Sequence, residues 1–161
     1  MKFFEANAFV ALLTLLPHLA LTAPTAQAAS TKNFYLVTCT SDRSSSYDAM
    51  AYYPDGPQSR SSQRPSRSGT VSRPPGTWEG VEREAKIYAD NWFKSRIDKN
   101  AGNLKKGEIA GTGDFEGEPF VCFKADGSVL YQTDEVVCRQ KYWCPSIDVS
   151  SDSQTGTVSN S

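Results

Sequence analysis

Short runs of β-branched and aromatic residues recur along the chain, separated by clusters of Gly, Pro, Ser and Asp. Such runs, bounded by turn-forming residues, are typical of β-strands. We therefore predict strands at residues 33–40, 47–53, 108–111, 120–124, 128–132 and 136–143. Asp126 and Gly127 stand between two of these runs, and an Asp-Gly pair in that position predicts a β-hairpin.

One segment has a different period, because its apolar residues recur at steps of three and four. These residues are Val81, Ala85, Tyr88, Ala89, Trp92, Phe93 and Ile97. This spacing places them on one face of a helix, and opposite charges four residues apart, such as Glu82 and Lys86, would lie on the other side. We predict an amphipathic helix over about residues 80–100, ended by Gly102, and an α+β fold in which this helix packs on a curved antiparallel sheet.

The N-terminal segment predicts that the protein is secreted and that its leader is removed. Lys2 precedes an apolar run at residues 9–21, which is shorter than the ~20 residues that a membrane-spanning helix needs. Ala26 and Ala28 then form a small-x-small cleavage pattern, so we predict a signal peptide at residues 1–28, with cleavage after Ala23 as the alternative. We expect a single domain at residues 29–146, with a flexible Arg/Ser/Pro-rich loop at 56–76, and a disordered Ser/Thr-rich tail at 147–161.

All four cysteines follow the predicted leader, at Cys39, Cys122, Cys138 and Cys144. An even number of cysteines in a secreted chain predicts two disulfides. In a regular meander, Cys122 and Cys138 would lie two strand spacings apart, about 9.6 Å, whereas a bridge needs Cα atoms within ~7 Å. We therefore disfavour that pair and expect at least one bridge from Cys39 to the Cys138/Cys144 end. No C-x-x-C motif is present, and we predict no metal site.

The single histidine, His18, lies in the predicted leader. Without it, the remaining chain lacks the imidazole of Ser-His-Asp and Cys-His hydrolases and of two-histidine ribonucleases. Glu116, Glu118 and Glu135 are candidates for a general base, but surface carboxylates beside strands are the favoured interpretation. We leave the question of an enzyme open, favour a protein that is not one, and predict no cofactor.

The predicted order of elements resembles the guanyl-specific ribonucleases of the T1 family and the ribonuclease-like secreted effectors of plant-pathogenic fungi. Those effectors carry Tyr-x-Cys near the mature N-terminus, and here three residues separate Tyr35 from Cys39. The stretch 120–135 is similar to the central hairpin of the enzymes, with Phe120 and Glu135 where they have Arg and His. In its predicted leader, its size and its closing residues 142–146 (YWCPS), the chain also looks like a small cysteine-containing secreted protein of filamentous fungi. This resemblance implies a fungal effector on a ribonuclease-like scaffold.

We therefore predict a secreted, monomeric, non-enzymatic effector or elicitor that binds a host macromolecule and modulates host immunity or cell death. The alternatives are a ribonuclease-like enzyme or RNA-binding protein, and a cell-wall or carbohydrate-binding protein. The candidate contact residues are Arg60, Arg64, Arg67 and Arg73, which could reach phosphates, and Tyr52 and Tyr53, which could stack on a base or sugar. Because the formal net charge is −1, a loop that is solvated or binds a partner is favoured over contact with nucleic acid.

Overall fold

Nine β-strands account for most of the residues that the structure describes. The computed structural model describes residues 29–41, 44–60 and 63–147. The strands are β1 (Asn33–Ser41), β2 (Ser44–Tyr53), β3 (Arg67–Ser72), β4 (Glu82–Tyr88), β5 (Asn91–Ile97), β6 (Ile109–Phe115), β7 (Glu118–Lys124), β8 (Val129–Gln132) and β9 (Val136–Pro145), with a 3₁₀ turn at Ala101–Asn103. Within these residues, no helix is long and apolar enough to cross a membrane. The predicted signal peptide, and the predicted tail apart from Ile147, lie outside the described residues.

The strands form one antiparallel sheet that curves into a nearly closed barrel. Their order is β3-β2-β1-β9-β7-β6-β5-β4, with β8 paired to β9. The two end strands approach each other at Gly69 of β3, where an added Cβ would lie 2.5 Å from the carbonyl oxygen of Lys86 and 2.8 Å from the Cβ of Ala85 in β4. Glycine therefore permits the close contact that brings the first and last strands of the sheet together.

The predicted α+β fold, with its helix over about residues 80–100, is wrong: this segment is the β4–β5 hairpin. Ala85, Phe93 and Ile97 are buried as the helix prediction required. Phe93 and Ile97 are four residues apart and so share a face in a strand as well as in a helix, and Ala85 is the cross-strand partner of Phe93. The charges pair across the hairpin, with Arg96 Nη2 at 2.9 Å from Glu82 Oε2. The element order that resembled the T1-type ribonucleases included this helix, so the structure removes that basis of the resemblance.

The structure confirms the other predicted strands but contradicts one predicted loop and one predicted hairpin. All six predicted strands are present, within a few residues of their expected bounds. However, the predicted loop at 56–76 contains β3, and the hairpin predicted at Asp126 and Gly127 is wrong. Strands β7 and β8 do not pair with each other; they follow the same edge of β9 in succession, opposite residues 142–143 and 137–139.

The curved sheet has a core on each of its faces, and each core holds one disulfide. The inner core contains Phe34, Phe93 and Phe115 together with the Cys122–Cys144 bridge. The outer core lies where β8 and the chain after β2 cover β1 and β2, and it contains the Cys39–Cys138 bridge. Both bridges join neighbouring strands with Cα atoms 4.0 Å apart. The two predicted disulfides, and the predicted link from Cys39 to the C-terminal end, are therefore confirmed.

Candidate ligand cleft on the outer face

The interior of the barrel is filled with aromatic side chains. The ring of Phe34 stacks on Phe93 with centroids 3.8 Å apart and meets Phe115 and Phe120 edge-on at 5.0 and 5.3 Å. All four rings are at most 1% exposed. Small barrels of about eight strands have an interior just wide enough for such packing. The interior is therefore a packed core, and a ligand must bind at the surface.

A cleft of about 420 Å³ lies on the outer face of the sheet, over β7, β9 and β1. Phe123 is the cross-strand partner of Trp143, which in turn is the partner of Tyr35, so the three rings form one row across three strands. Neighbouring ring centroids are 5.8 and 6.4 Å apart. This aromatic row is the floor of the cleft, and its walls include Pro57, Gln58, Lys106, Gly107, Lys124, Ala125 and Gln140.

Hydrogen bonds hold the floor in place. The indole Nε1 of Trp143 donates to Asn33 Oδ1 at 2.7 Å, and the Asn33 amide donates to the carbonyl of Thr31 at 2.8 Å. The Tyr35 hydroxyl accepts a hydrogen bond from the backbone N–H of Gln58 at 3.1 Å, and burial raises its pKa, so it stays neutral. Because the polar ends of Trp143 and Tyr35 have partners inside the protein, the orientation of these two rings is fixed before any ligand binds.

The walls present amides and an ion pair. The side-chain amide of Gln58 donates to the carbonyl of Leu130 at 2.7 Å, and that of Gln140 donates to Ser128 Oγ at 2.6 Å. Lys106 Nζ lies 2.6 Å from Asp126 Oδ2. The hydrogen bond from Lys106, together with hydrogen bonds from Ser128, holds the pKa of Asp126 well below its ordinary value. The walls therefore contain fixed donors and acceptors, with the charge of Lys106 compensated.

The structure does not bring the predicted contact residues together in this cleft. Tyr52 and Tyr53 are only 7% and 2% exposed and belong to the inner and the outer core respectively. The four predicted arginines are exposed: Arg60 and Arg64 lie before β3, Arg67 is its first residue and Arg73 directly follows it. The guanidinium of Arg73 lies 4.4 Å from the centroid of the Tyr47 ring.

Two of the three candidate acids lie together at one end of the barrel. Glu118 Oε2 is 2.7 Å, and Glu116 Oε2 is 3.6 Å, from the ammonium of Lys32. Burial raises the pKa of Glu118, but hydrogen bonds from Lys32, Ser146 and Ser30 outweigh burial, and the net change is a lowering. Glu135 lies apart from them, in the turn between β8 and β9. A carboxylate that is held ionised in this way is a weak base and cannot serve as a general acid near neutral pH.

Sequence reasoning missed most of the cleft, although the strand pattern contains one signal for it. Cys122 and Cys144 form a buried bridge, and in a strand the next residue points to the opposite face. Phe123 follows Cys122 and Trp143 precedes Cys144, so the sequence indicates two aromatic side chains on the outer face. Gln58 and Lys106 come from connections between strands, where no periodicity predicts the position of a side chain.

Neither comparison with known proteins nor metal-site geometry assigns an activity. No protein family, curated protein or solved structure matches the chain. Within residues 29–41, 44–60 and 63–147, no group of three His, Cys, Asp or Glu side chains is placed to hold a metal ion. The aromatic cleft, with its fixed floor and polar walls, is the candidate functional site.

Proposed function

We propose that this chain is a secreted, non-enzymatic protein of the effector or elicitor type, and that it binds a host macromolecule through the aromatic cleft. The observation that carries the proposal is the row of Tyr35, Trp143 and Phe123, fixed on the outer face of a rigid barrel. Concave sites with aromatic floors and a few fixed polar groups are the usual form of binding sites. Two disulfides, and the absence of a membrane-spanning helix from the described residues, are compatible with an extracellular protein.

The chemistry of the cleft supports binding rather than catalysis. None of the described residues that line the cleft carries a carboxylate, and Asp126, which forms an ion pair with the wall residue Lys106, has a depressed pKa. Efficient acid-base catalysis near neutral pH needs groups whose pKa values lie near the working pH. Glu116 and Glu118 lie at the barrel end with Lys32, and neither lines the cleft.

Infiltration of the purified protein into leaves of several plant species tests the proposal. We expect the native protein to cause cell death or to suppress an immune response, and a heat-denatured sample to do neither. The Phe123→Ala variant should lose most of the response. Trp92→Ala is a matched control, because Trp92 is an exposed aromatic residue of β5 outside the cleft. No response to the native protein in any species would contradict the proposal, and so would equal responses to native protein and Phe123→Ala.

A further inference from the structure

The rings on the floor of the cleft offer a flat apolar surface. Trp143 and Tyr35 are inclined by 22°, and Trp143 and Phe123 by 35°, so the three faces turn in similar directions. Phe123 and Trp143 are half-buried and open to the cleft. An aromatic face carries negative charge density, which favours contact with the C–H side of a ligand ring. The floor therefore suits a ring with one apolar C–H face.

The amides on the walls leave hydrogen-bond acceptors for the ligand. The nitrogen of Gln58 donates to the Leu130 carbonyl, and the nitrogen of Gln140 donates to Ser128 and Asp126. Each amide carbonyl is an acceptor with two lone pairs, so both walls can receive hydrogen bonds from a ligand. A phosphate oxygen is only an acceptor and cannot use these groups. A hydroxyl group can donate to them.

The lysines of the cleft are compensated and do not form a cationic patch. Lys106 forms a 2.6 Å ion pair with Asp126. The ammonium of Lys124 lies 4.8 Å from the centroid of the Tyr142 ring, which belongs to the inner core, and its charge interacts with Glu79. Binding of nucleic acid depends on cations that neutralise phosphates. The electrostatics of the cleft therefore favour an uncharged ligand.

Taken together, an apolar floor, acceptors on both walls and compensated charge match a sugar, whose ring has a C–H face and a rim of hydroxyl groups. We propose that the cleft binds a neutral oligosaccharide, with one sugar ring stacked on Trp143 and Phe123 and hydroxyl groups bound by Gln58, Gln140 and Lys106. The volume of about 420 Å³ lies within the range of small-molecule sites. This inference rests on the proposed function, because it names the chemical class held by the same cleft.

Titration calorimetry with the disulfide-bonded protein tests the inference. The probes are chitohexaose, cellohexaose and laminarihexaose as neutral sugars, hexagalacturonate as an acidic sugar and a hexauridylate RNA as a polyanion. We expect at least one neutral sugar to bind, with an affinity that changes by less than about twofold between low and high salt, because no ion pair forms with the ligand. The acidic sugar and the RNA should bind more weakly than that neutral sugar.

Variants locate the binding in the cleft. Phe123→Ala and Trp143→Ala should each weaken binding by about tenfold or more, which is the scale of one lost aromatic stack. Trp92→Ala, on the outer face of β5, should leave the affinity unchanged. Trp143→Ala also removes the hydrogen bond to Asn33, so Phe123→Ala, which keeps that bond, is the decisive variant once its melting temperature shows that it is folded.

Three results would overturn the inference: no binding of any neutral hexasaccharide, tighter and salt-dependent binding of the RNA or of hexagalacturonate, or full affinity in folded Phe123→Ala. The leaf assay separates this failure from failure of the proposed function. A response that depends on Phe123 without sugar binding would leave the function and reject the sugar. Sugar binding that depends on Phe123, without any leaf response, would support the sugar site and reject the proposed function.

Discussion

The two disulfides should contribute unequally to stability, in an order that their loop lengths determine. Cys39 and Cys138 are 99 residues apart in sequence, whereas Cys122 and Cys144 are 22 apart. In the chain-entropy model, closing a loop of about 100 residues stabilises by about 4.7 kcal/mol, and closing one of about 22 residues by about 3.4 kcal/mol. The double variant Cys39→Ala/Cys138→Ala should therefore be less stable than Cys122→Ala/Cys144→Ala by about 1.3 kcal/mol.

The two double variants form a matched pair. All four cysteines are fully buried, so each variant removes two sulfur atoms from a core, and the cavity contributions largely cancel in the comparison. Urea unfolding at 25 °C under non-reducing conditions measures the free energy of unfolding of each variant. Mass spectrometry after alkylation must show that the remaining bridge is intact.

The opposite order would refute this reasoning. A larger loss from Cys122→Ala/Cys144→Ala would mean that contacts of the inner bridge within the barrel, rather than the entropy of the unfolded chain, determine its contribution. Equal losses, within the error of the extrapolation to zero urea, would also contradict the expected difference.

Three further predictions concern the barrel itself, and one concerns activity. Phe93→Ala should lower the free energy of unfolding by about 3–5 kcal/mol in urea, because Phe93 is fully buried in the inner core; a loss below about 1 kcal/mol would contradict this packing. Gly69→Ala should lower the free energy of unfolding by about 1–3 kcal/mol and speed amide hydrogen exchange in β3 and β4, because its Cβ would overlap the facing strand. Gly102→Ala, whose Cβ would meet nothing closer than 3.5 Å, should lower it by less. The pKa of Glu118 is depressed in the folded protein, so its stabilising contribution is present above its unfolded pKa of about 4.3 and is lost as the pH falls through the lower folded value. As the pH is lowered into the acid range, the melting temperature of Glu118→Gln should therefore fall less steeply than that of the native protein. Parallel curves would contradict this. Incubation with total RNA should leave the RNA intact on a gel, and cleavage that Glu118→Gln abolishes would contradict the non-enzymatic proposal.

The strands could be predicted from sequence where the residues allow only one periodicity. Strand β1 begins with an aromatic and β-branched run that no helix pattern fits, and it was predicted almost to its ends. The β4–β5 hairpin fits both periods, because Phe93 and Ile97 are four apart and share a face in either structure. Its turn is formed by Ala89 and Asp90, and Ala89 adopts a positive φ of 45° that favours Gly or Asn, so the usual residue for that position is missing. Exposed Trp92 was wrongly assigned to the buried face, because the adjacent residues Trp92 and Phe93 can share one face of a helix but point to opposite faces in a strand.

The cleft could be predicted only in part, because it depends on tertiary pairing. Alternation within β7 and β9 places Phe123 and Trp143 outside, but their meeting requires that β7 pair with β9. The Asp126-Gly127 signal favoured pairing of β7 with β8 instead. In the structure, the end of β7 and then β8 pair in succession with one edge of β9, and this pairing outweighs the local turn preference.

The position of the bridges along the chain also has a consequence for biosynthesis. Each disulfide joins an earlier cysteine, Cys39 or Cys122, to one in β9, the final strand of the described chain. While ribosomes are still making the polypeptide, the thiols of Cys39 and Cys122 therefore have no native partner, and a bond between them would be an error that an isomerase must undo. In a secreted chain, native oxidation could begin only after residue 138 had entered the oxidising compartment. For the secreted protein that we propose, both bridges should therefore close after translation of β9.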